Sequence, residues 1–257
     1  NAQTILIKCL EYLEYRGYDS TGICTVHNNE LNVYKSVGKI SNLKNQLKGI
    51  LVPGTIGIGH SRWATHGTIS IKNAHPHISK GANFGLVHNG IVENFKVLQD
   101  YLLKRGYIFQ SETDTETIVN LVDDIKESEG VSFQAAIQDA LKQIVGAYAM
   151  VFISKDHDDM LIAANKSSSL IIGFNDDYSE YIIASDIKCI SMYVKNVIYL
   201  KDSQMAIITK NKAPVIMGID GNACANVYIE TLKKEMDVGD KAGYKYYLLK
   251  EIHEQPT

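Results

Sequence analysis

Little in this sequence asks for a membrane, a nucleic acid or a disulfide framework. No apolar run among its 257 residues approaches the ~20 needed to cross a bilayer, and no charged-then-apolar signal segment opens the chain. No basic block or acidic tail appears, because 26 Lys and Arg stand against 29 Asp and Glu, for a formal net charge of -3. The four cysteines, Cys9, Cys24, Cys189 and Cys224, form no CxxC pair, so their spacing gives no support to a zinc knuckle. With 45% hydrophobic residues, a chain of this length builds a core without disulfide staples. One large domain, or one domain with an appendage, in a reducing cytoplasm is the expectation, with no nucleic acid and no membrane as partner.

What is present begins with helical spacing. Ile5, Cys9, Tyr12 and Leu13 put one apolar face on a helix over 2–15, with Gly17 where a C-terminal cap belongs. Thr21 to His27 and Leu31 to Ser36 read as a hairpin joined at Asn28-Asn29. A short helix over 40–48 has Ser41 near its cap, and a strand over 55–61 follows. Phe84 to His88 reads as a strand ending at Asn89-Gly90. Three helices come next, over 94–105, from about 113, and after Ser132; Thr113 with Glu116 fits a capping box. From Gly146 the pattern is β, in short runs over 148–154, 160–164, 170–174, 181–185, 197–200, 205–209 and 214–217. Asp156 to Asp159 and Asn175 to Asp177 supply turn signals between runs. Strands grouped with strands and helices with helices predict an α+β fold with mostly antiparallel sheets. After about 222 the chain turns charged and tyrosine-rich, as a connector does.

Four stretches carry residues suited to chemistry. Gly59-His60-Ser61-Arg62-Trp63-Ala64-Thr65-His66-Gly67 gathers a cation, two imidazoles, two hydroxyls and the one tryptophan. Arg62 offers a bidentate fork for a carboxylate; the alternative is a strand end whose Trp63 plugs the core. His88-Asn89-Gly90 reads either as a type I′ turn or as an amide and a bare backbone N–H converging on one oxygen, as an oxyanion hole requires. Asp114, in Ser111 to Glu116, either complements a helix dipole or faces a pocket and holds an ammonium group. Arg16, in Tyr15 to Ser20, is electrostatically placed at a helix C-terminus. Five histidines fall between positions 60 and 88, but without a nearby carboxylate or an HExxH pattern no metal site is expected.

Taken together, YRGYDS (15–20), GHSRWATHG (59–67), NAHPH (73–77), HNGIVEN (88–94) and SETDTE (111–116) resemble the glutaminase domain of the glutamine–fructose-6-phosphate aminotransferase family, within the class II glutamine amidotransferases. The resemblance spans nearly the whole chain and implies a four-layer αββα sandwich of the N-terminal-nucleophile hydrolase kind. It implies hydrolysis of the glutamine side-chain amide, with ammonia passed to fructose 6-phosphate in downstream sugar-isomerase domains. No cofactor is implied, and a homodimer is implied for the full-length enzyme. Residues 1–225 correspond to the glutaminase domain and 226–257, with KEIHEQP (250–256), to a helix and linker toward those domains.

By the same resemblance, Arg62 binds the glutamine α-carboxylate and Asp114 its α-ammonium, while Thr65 and His66 line the pocket. Asn89 and Gly90 form the oxyanion hole, Trp63 sits on a loop that closes over glutamine, and Arg16 and Gly17 shape the site beside the nucleophile. The family begins Cys-Gly-Ile-x-Gly and a strand, whereas this sequence starts at Asn1 in the first helix. The nucleophilic cysteine and the strand that carries it are therefore expected upstream of Asn1. Two other readings remain: another class II amidotransferase, such as the phosphoribosyl-pyrophosphate enzyme, and a nucleophile-less glutamine-binding or assembly module.

Overall fold

The computed structural model describes residues 1–64, 67–224 and 226–232. In chain order the elements are α1 (Ala2–Leu13), β1 (Ser20–His27), β2 (Glu30–Val37), α2 (Ile40–Gln46), β3 (Ile56–Arg62), β4 (His77–Ile78), β5 (Phe84–Val92), α3 (Phe95–Lys104), α4 (Asp114–Glu129) and α5 (Phe133–Gln143). The β-rich half follows, with β6 (Gly146–Ser154), β7 (His157–Lys166), β8 (Ile171–Phe174), β9 (Tyr181–Ala184), β10 (Asn196–Tyr199), β11 (Gln204–Thr209), β12 (Val215–Gly218) and β13 (Glu230–Thr231). Three sheets result, ordered β2-β1-β3, β13-β10-β8-β9 and β12-β11-β7-β6-β5-β4, with antiparallel pairing throughout.

The layering follows from the period-2 alternation of side chains along each strand. On β6, Tyr148, Met150 and Phe152 enter the core beneath α3, α4 and α5, while Ala149, Val151 and Ile153 face the other two sheets. On β1, Cys24 and Val26 meet that same inter-sheet core, and Ile23 points the opposite way to Leu10 of α1 and Leu43 of α2. On β8, Ile172 and Phe174 face the inter-sheet core, and Ile171 faces Cys9 of α1. The order is helices, two short sheets side by side, one six-stranded sheet, helices. This is the αββα sandwich, and strands buried on both faces explain why these runs read as continuously apolar.

The Asn28-Asn29 reading holds: His27 pairs with Glu30, and both asparagines take positive φ, 50° and 60°, as a two-residue type I′ turn requires. Ser132 caps α5 by accepting from the Ala135 N–H at 3.2 Å. Several local expectations need correction. Asn89-Gly90 is not a turn, because β5 runs on through it to Val92, with Asn89 paired to Ala149 and Gly90 to Tyr148. Ser41 does not cap α2; the Ile40 N–H donates to the Glu14 carboxylate at 3.0 Å. Thr113 makes no capping bond, since its hydroxyl lies 3.1 Å from His77 Nε2, and Glu116 reaches back to the N–H groups of Gln110 and Ser111. The turn expected over 156–159 is shorter, with His157 already in β7. Most of the connector expected over 226–257 lies outside the described residues; Glu230–Thr231 is a short strand rather than the start of a helix.

Candidate active site

β3 and β9 are each the last strand of their sheets, and the two edges face one cavity of about 780 Å³. Residues 55–63 along β3 and 179–185 along β9 line it, and α1 contributes Ile5, Cys9 and Leu13. Arg16, Arg62, Trp63, Asn89, Gly90 and Asp114 all line this same space. Four remote chain segments therefore deliver these groups to one place. Thr65 and His66 lie outside the described residues.

Arg62 ends β3, in register with Ser20 of β1. It is 5% exposed. Burial pushes its pKa down, while the carboxylates of Asp19, Asp114 and Glu112 oppose that shift; an arginine, starting above about 12, stays charged. The Arg62 backbone is fixed as well, since its carbonyl accepts from the Asp19 N–H at 3.0 Å and Asp19 Oδ2 accepts from the Ala64 N–H at 2.8 Å. Gly17 is required by clearance. A Cβ there would lie 2.8 Å from the Arg62 carbonyl carbon and 2.9 Å from the Trp63 nitrogen, and its φ of 179° is ordinary extended backbone. So Gly17 lets the end of the first helical segment lie directly on the chain that carries Arg62. Arg16 turns away to donate to the Ser185 carbonyl and hydroxyl at 3.2 and 3.1 Å.

Asp114 opens α4. One carboxylate oxygen accepts from the Val92 N–H at 2.9 Å, and the other lies 4.0 Å from His88 Nδ1. That tie fixes α4 against the end of β5, the strand that carries Asn89 and Gly90. Gly90 has φ of 145°, and a Cβ there would sit 2.1 Å from the Ala147 carbonyl oxygen. Only glycine fits, and its peptide departs from ordinary strand geometry where the strand borders the cavity. Trp63 is 59% exposed and meets Tyr18 edge-on at 5.8 Å, so it is not a core plug.

The histidines form a stack rather than a ligand shell. His60 lies flat on His75 at 4.4 Å, and His75 meets His77 edge-on at 4.8 Å. Burial pushes the pKa of His60 down to about 4, with His88 and Arg62 adding to the shift, and those of His75 and His77 well below the usual range, with neighbouring imidazoles and Lys35 adding. Burial lowers His88 too, against an opposing effect of Asp114. Burial thus favours the neutral imidazole, and His60, His75 and His88 line the cavity itself. Three of the cysteines are poor nucleophiles here, because burial pushes Cys9 up to about 11 and Cys24 and Cys189 up to about 12. Cys224 accepts from Gln204 Nε2 at 3.2 Å and does not line the cavity.

Asp19 and Glu112, which hold the Arg62 loop, were not selected from the sequence. Both lie inside the selected stretches and read there as ordinary turn and helix-entry residues.

Comparison with known proteins agrees with this geometry. The family described as "Glutamine amidotransferase domain" matches residues 60–192. The chain is 43% identical, over 99% of its length, to glutamine–fructose-6-phosphate aminotransferase (isomerizing) of Bacteroides thetaiotaomicron, and 42% identical to its counterpart from Caldanaerobacter subterraneus. It spans 41% of the length of each. The glutamine phosphoribosylpyrophosphate amidotransferase structure from B. subtilis superimposes with a TM-score of 0.71 at 26% identity, covering 86% of this chain and 47% of that one. With the matched region running from the imidazole stack through Arg62, Asn89-Gly90 and Asp114, the chain belongs to the glutamine amidotransferase domain family, and its fold is that of the N-terminal-nucleophile amidotransferases.

Proposed function

We propose that this chain hydrolyses the side-chain amide of L-glutamine and supplies the ammonia for conversion of fructose 6-phosphate to glucosamine 6-phosphate. The observation that carries the reading is the meeting of Arg62 and Asp114 on one cavity with Asn89 and Gly90. A cation and an anion from separate segments suit a zwitterion: Arg62 takes the α-carboxylate and Asp114 the α-ammonium. The side-chain amide then reaches toward Asn89 and Gly90. The family resemblance adds Thr65 and His66 as glutamine-binding residues, with Trp63 as the cover and Arg16 and Gly17 bordering the nucleophile.

The nucleophile is an N-terminal cysteine on an extended segment upstream of Asn1, seated in the cavity between the edges of β3 and β9. Two strand edges that pair with no other strand among the described residues face one partly apolar cleft, which suits such a strand. The cysteine thiolate attacks the amide carbon, and the resulting oxyanion is held by the Asn89 amide and the Gly90 N–H. The cysteine's own α-amino group shuttles the proton to the departing ammonia. Water then attacks the γ-glutamyl thioester through a second oxyanion in the same donors, releasing glutamate.

The sugar-phosphate half rests on the names of the relatives, whose remaining length exceeds this chain. Residues 1–225 are the glutaminase domain in this reading, and 226–257 lead toward that remainder. The full-length protein is a cytoplasmic homodimer and needs no cofactor for this half-reaction. Among the described residues no helix is long and apolar enough to cross a membrane.

In the full-length protein, Arg62→Ala should lose glutamine-dependent activity roughly ten- to a hundredfold in kcat/KM, the worth of one charge-assisted contact. Reaction with free ammonia should persist. Unchanged glutamine kinetics would remove Arg62 from the site. Glutamine binding without any hydrolysis in a protein that starts with its native residue would favour a binding module instead.

A further inference from the structure

We infer that Glu112 is a positioning residue that sets the span between Arg62 and Asp114, by tying the loop after Arg62 to the segment just before Asp114. The inference rests on the glutamine reading above and names a residue which that reading does not use. Glu112 Oε2 accepts from the Thr68 N–H at 3.0 Å, the Thr68 hydroxyl at 3.3 Å and Asn73 Nδ2 at 3.0 Å. Its own N–H donates to Asn73 Oδ1 at 2.9 Å. Asn73, fully buried, closes the knot by also donating to the Thr68 carbonyl at 2.8 Å. Lys72 Nζ stands 3.6 Å from the other carboxylate oxygen.

A carboxylate that is half exposed and still collects three donors from one loop is organised around that loop. The alternative role for an acid at this position is to satisfy the first amides of α4. Glu112 does not do that, because its acceptor capacity goes to Thr68 and Asn73. Gly67 shows how closely the loop lies on the knot: its φ is +75°, and a Cβ there would be 3.0 Å from Glu112 Oε2 and 2.9 Å from Asn73 Nδ2. The Thr68 N–H, Asn73 and Lys72 hold the Glu112 carboxyl down at about 2, so the knot keeps its charge at any working pH.

The loop's other end is held by Asp19, through the Ala64 N–H at 2.8 Å. Ala64 on one side, and Thr68 with Asn73 on the other, are thus each held by one of two carboxylates. The first fixes the loop to the turn after α1. The second fixes it two residues from Asp114. Arg62 precedes the first anchor and Asp114 follows the second, so the distance between the two ends of the proposed clamp depends on the Glu112 knot.

The test is glutamine hydrolysis by the full-length protein, followed as glutamate release, for Glu112→Ala and Glu112→Gln beside Arg62→Ala. Hydrogen exchange is measured in parallel on peptides covering 63–74. Glu112→Ala should raise the glutamine KM about tenfold with kcat within about twofold, as loss of uniform binding does. Exchange should quicken in 63–74 and stay as wild type elsewhere. Glu112→Gln, which keeps an acceptor oxygen at the same reach, should recover most of the KM. An unchanged KM in Glu112→Ala while Arg62→Ala raises it would overturn the inference and spare the glutamine reading. Unchanged kinetics in both variants would overturn both. Faster exchange throughout the chain would make Glu112 a stability residue and overturn the inference as well.

Discussion

Acid should unfold this domain earlier than its carboxylates alone would require. His75 and His77 are 5% and 3% exposed and held neutral by burial, their pKa values well below the ordinary 6.5. His60, pushed down to about 4, stacks on His75, and the His88 N–H donates to His75 Nδ1 at 3.4 Å. In the unfolded chain each imidazole protonates near about 6.5. The folded pKa is the lower one, so the stabilising contribution is complete above the unfolded value and is lost as pH falls from there toward the folded value. Between about pH 7.5 and about pH 5.5 each imidazole that stays neutral costs about 1 kcal/mol of stability, so His75 and His77 together cost about 2 to 3 kcal/mol. Total stabilities run to about 5–15 kcal/mol, so the effect is large. Urea midpoints measured across that interval check it. His77→Asn, which retains a polar group facing Thr113, should reduce the pH slope by about one proton. A midpoint that is flat down to about pH 5.5, or a slope unchanged by His77→Asn, would refute the neutral-stack account.

Other consequences follow from single residues. Gly90→Ala forces a Cβ to within 2.1 Å of the Ala147 oxygen at φ of 145°, so it should cost at least about 3 kcal/mol in denaturant titration; a loss below about 1 kcal/mol would mean the strand relaxes freely. Gly17→Ala pushes on the Arg62 and Trp63 backbone and should weaken glutamine use about tenfold with smaller loss of stability; wild-type kinetics would show that this contact does not set the Arg62 position. Tyr148 is fully buried and its hydroxyl has no hydrogen-bond partner among the described residues. Tyr148→Phe should therefore leave stability within about 0.5 kcal/mol of wild type or raise it, and a loss above about 1.5 kcal/mol would reveal a bond to that hydroxyl.

The elements were legible where periodicity alone decides them. The Asn28-Asn29 hairpin, the Ser132 cap and the seven strands from β6 to β12 follow from patterns that read locally, whereas β13 does not. The misread positions are those where tertiary contact outweighs local preference. Asn89-Gly90 carries the strongest two-residue turn signal in the chain, yet pairing with β6 carries the strand straight through it. Thr113 and Glu116 have capping-box spacing, but His77 and the amides of 110–111 claim their side chains. The candidate site was legible as a set of motifs, through resemblance, because residues as far apart as Arg62 and Asp114 announce nothing to each other in sequence. Their convergence depends on Asp19, Gly17 and Glu112, whose roles exist only once β3, β5 and α4 are packed.

The central claim is that Arg62 and Asp114 hold the two charged ends of one glutamine molecule. Calorimetric titration of L-glutamine into the full-length protein, and into Arg62→Ala and Asp114→Asn, tests it most directly, with an analogue lacking the α-amine as second titrant. Each substitution should weaken glutamine binding roughly ten- to a hundredfold, and Asp114→Asn should bind the amine-free analogue about as well as wild type does. Glutamine binding unchanged in either variant, or an additional full loss of analogue binding in Asp114→Asn, would contradict the account.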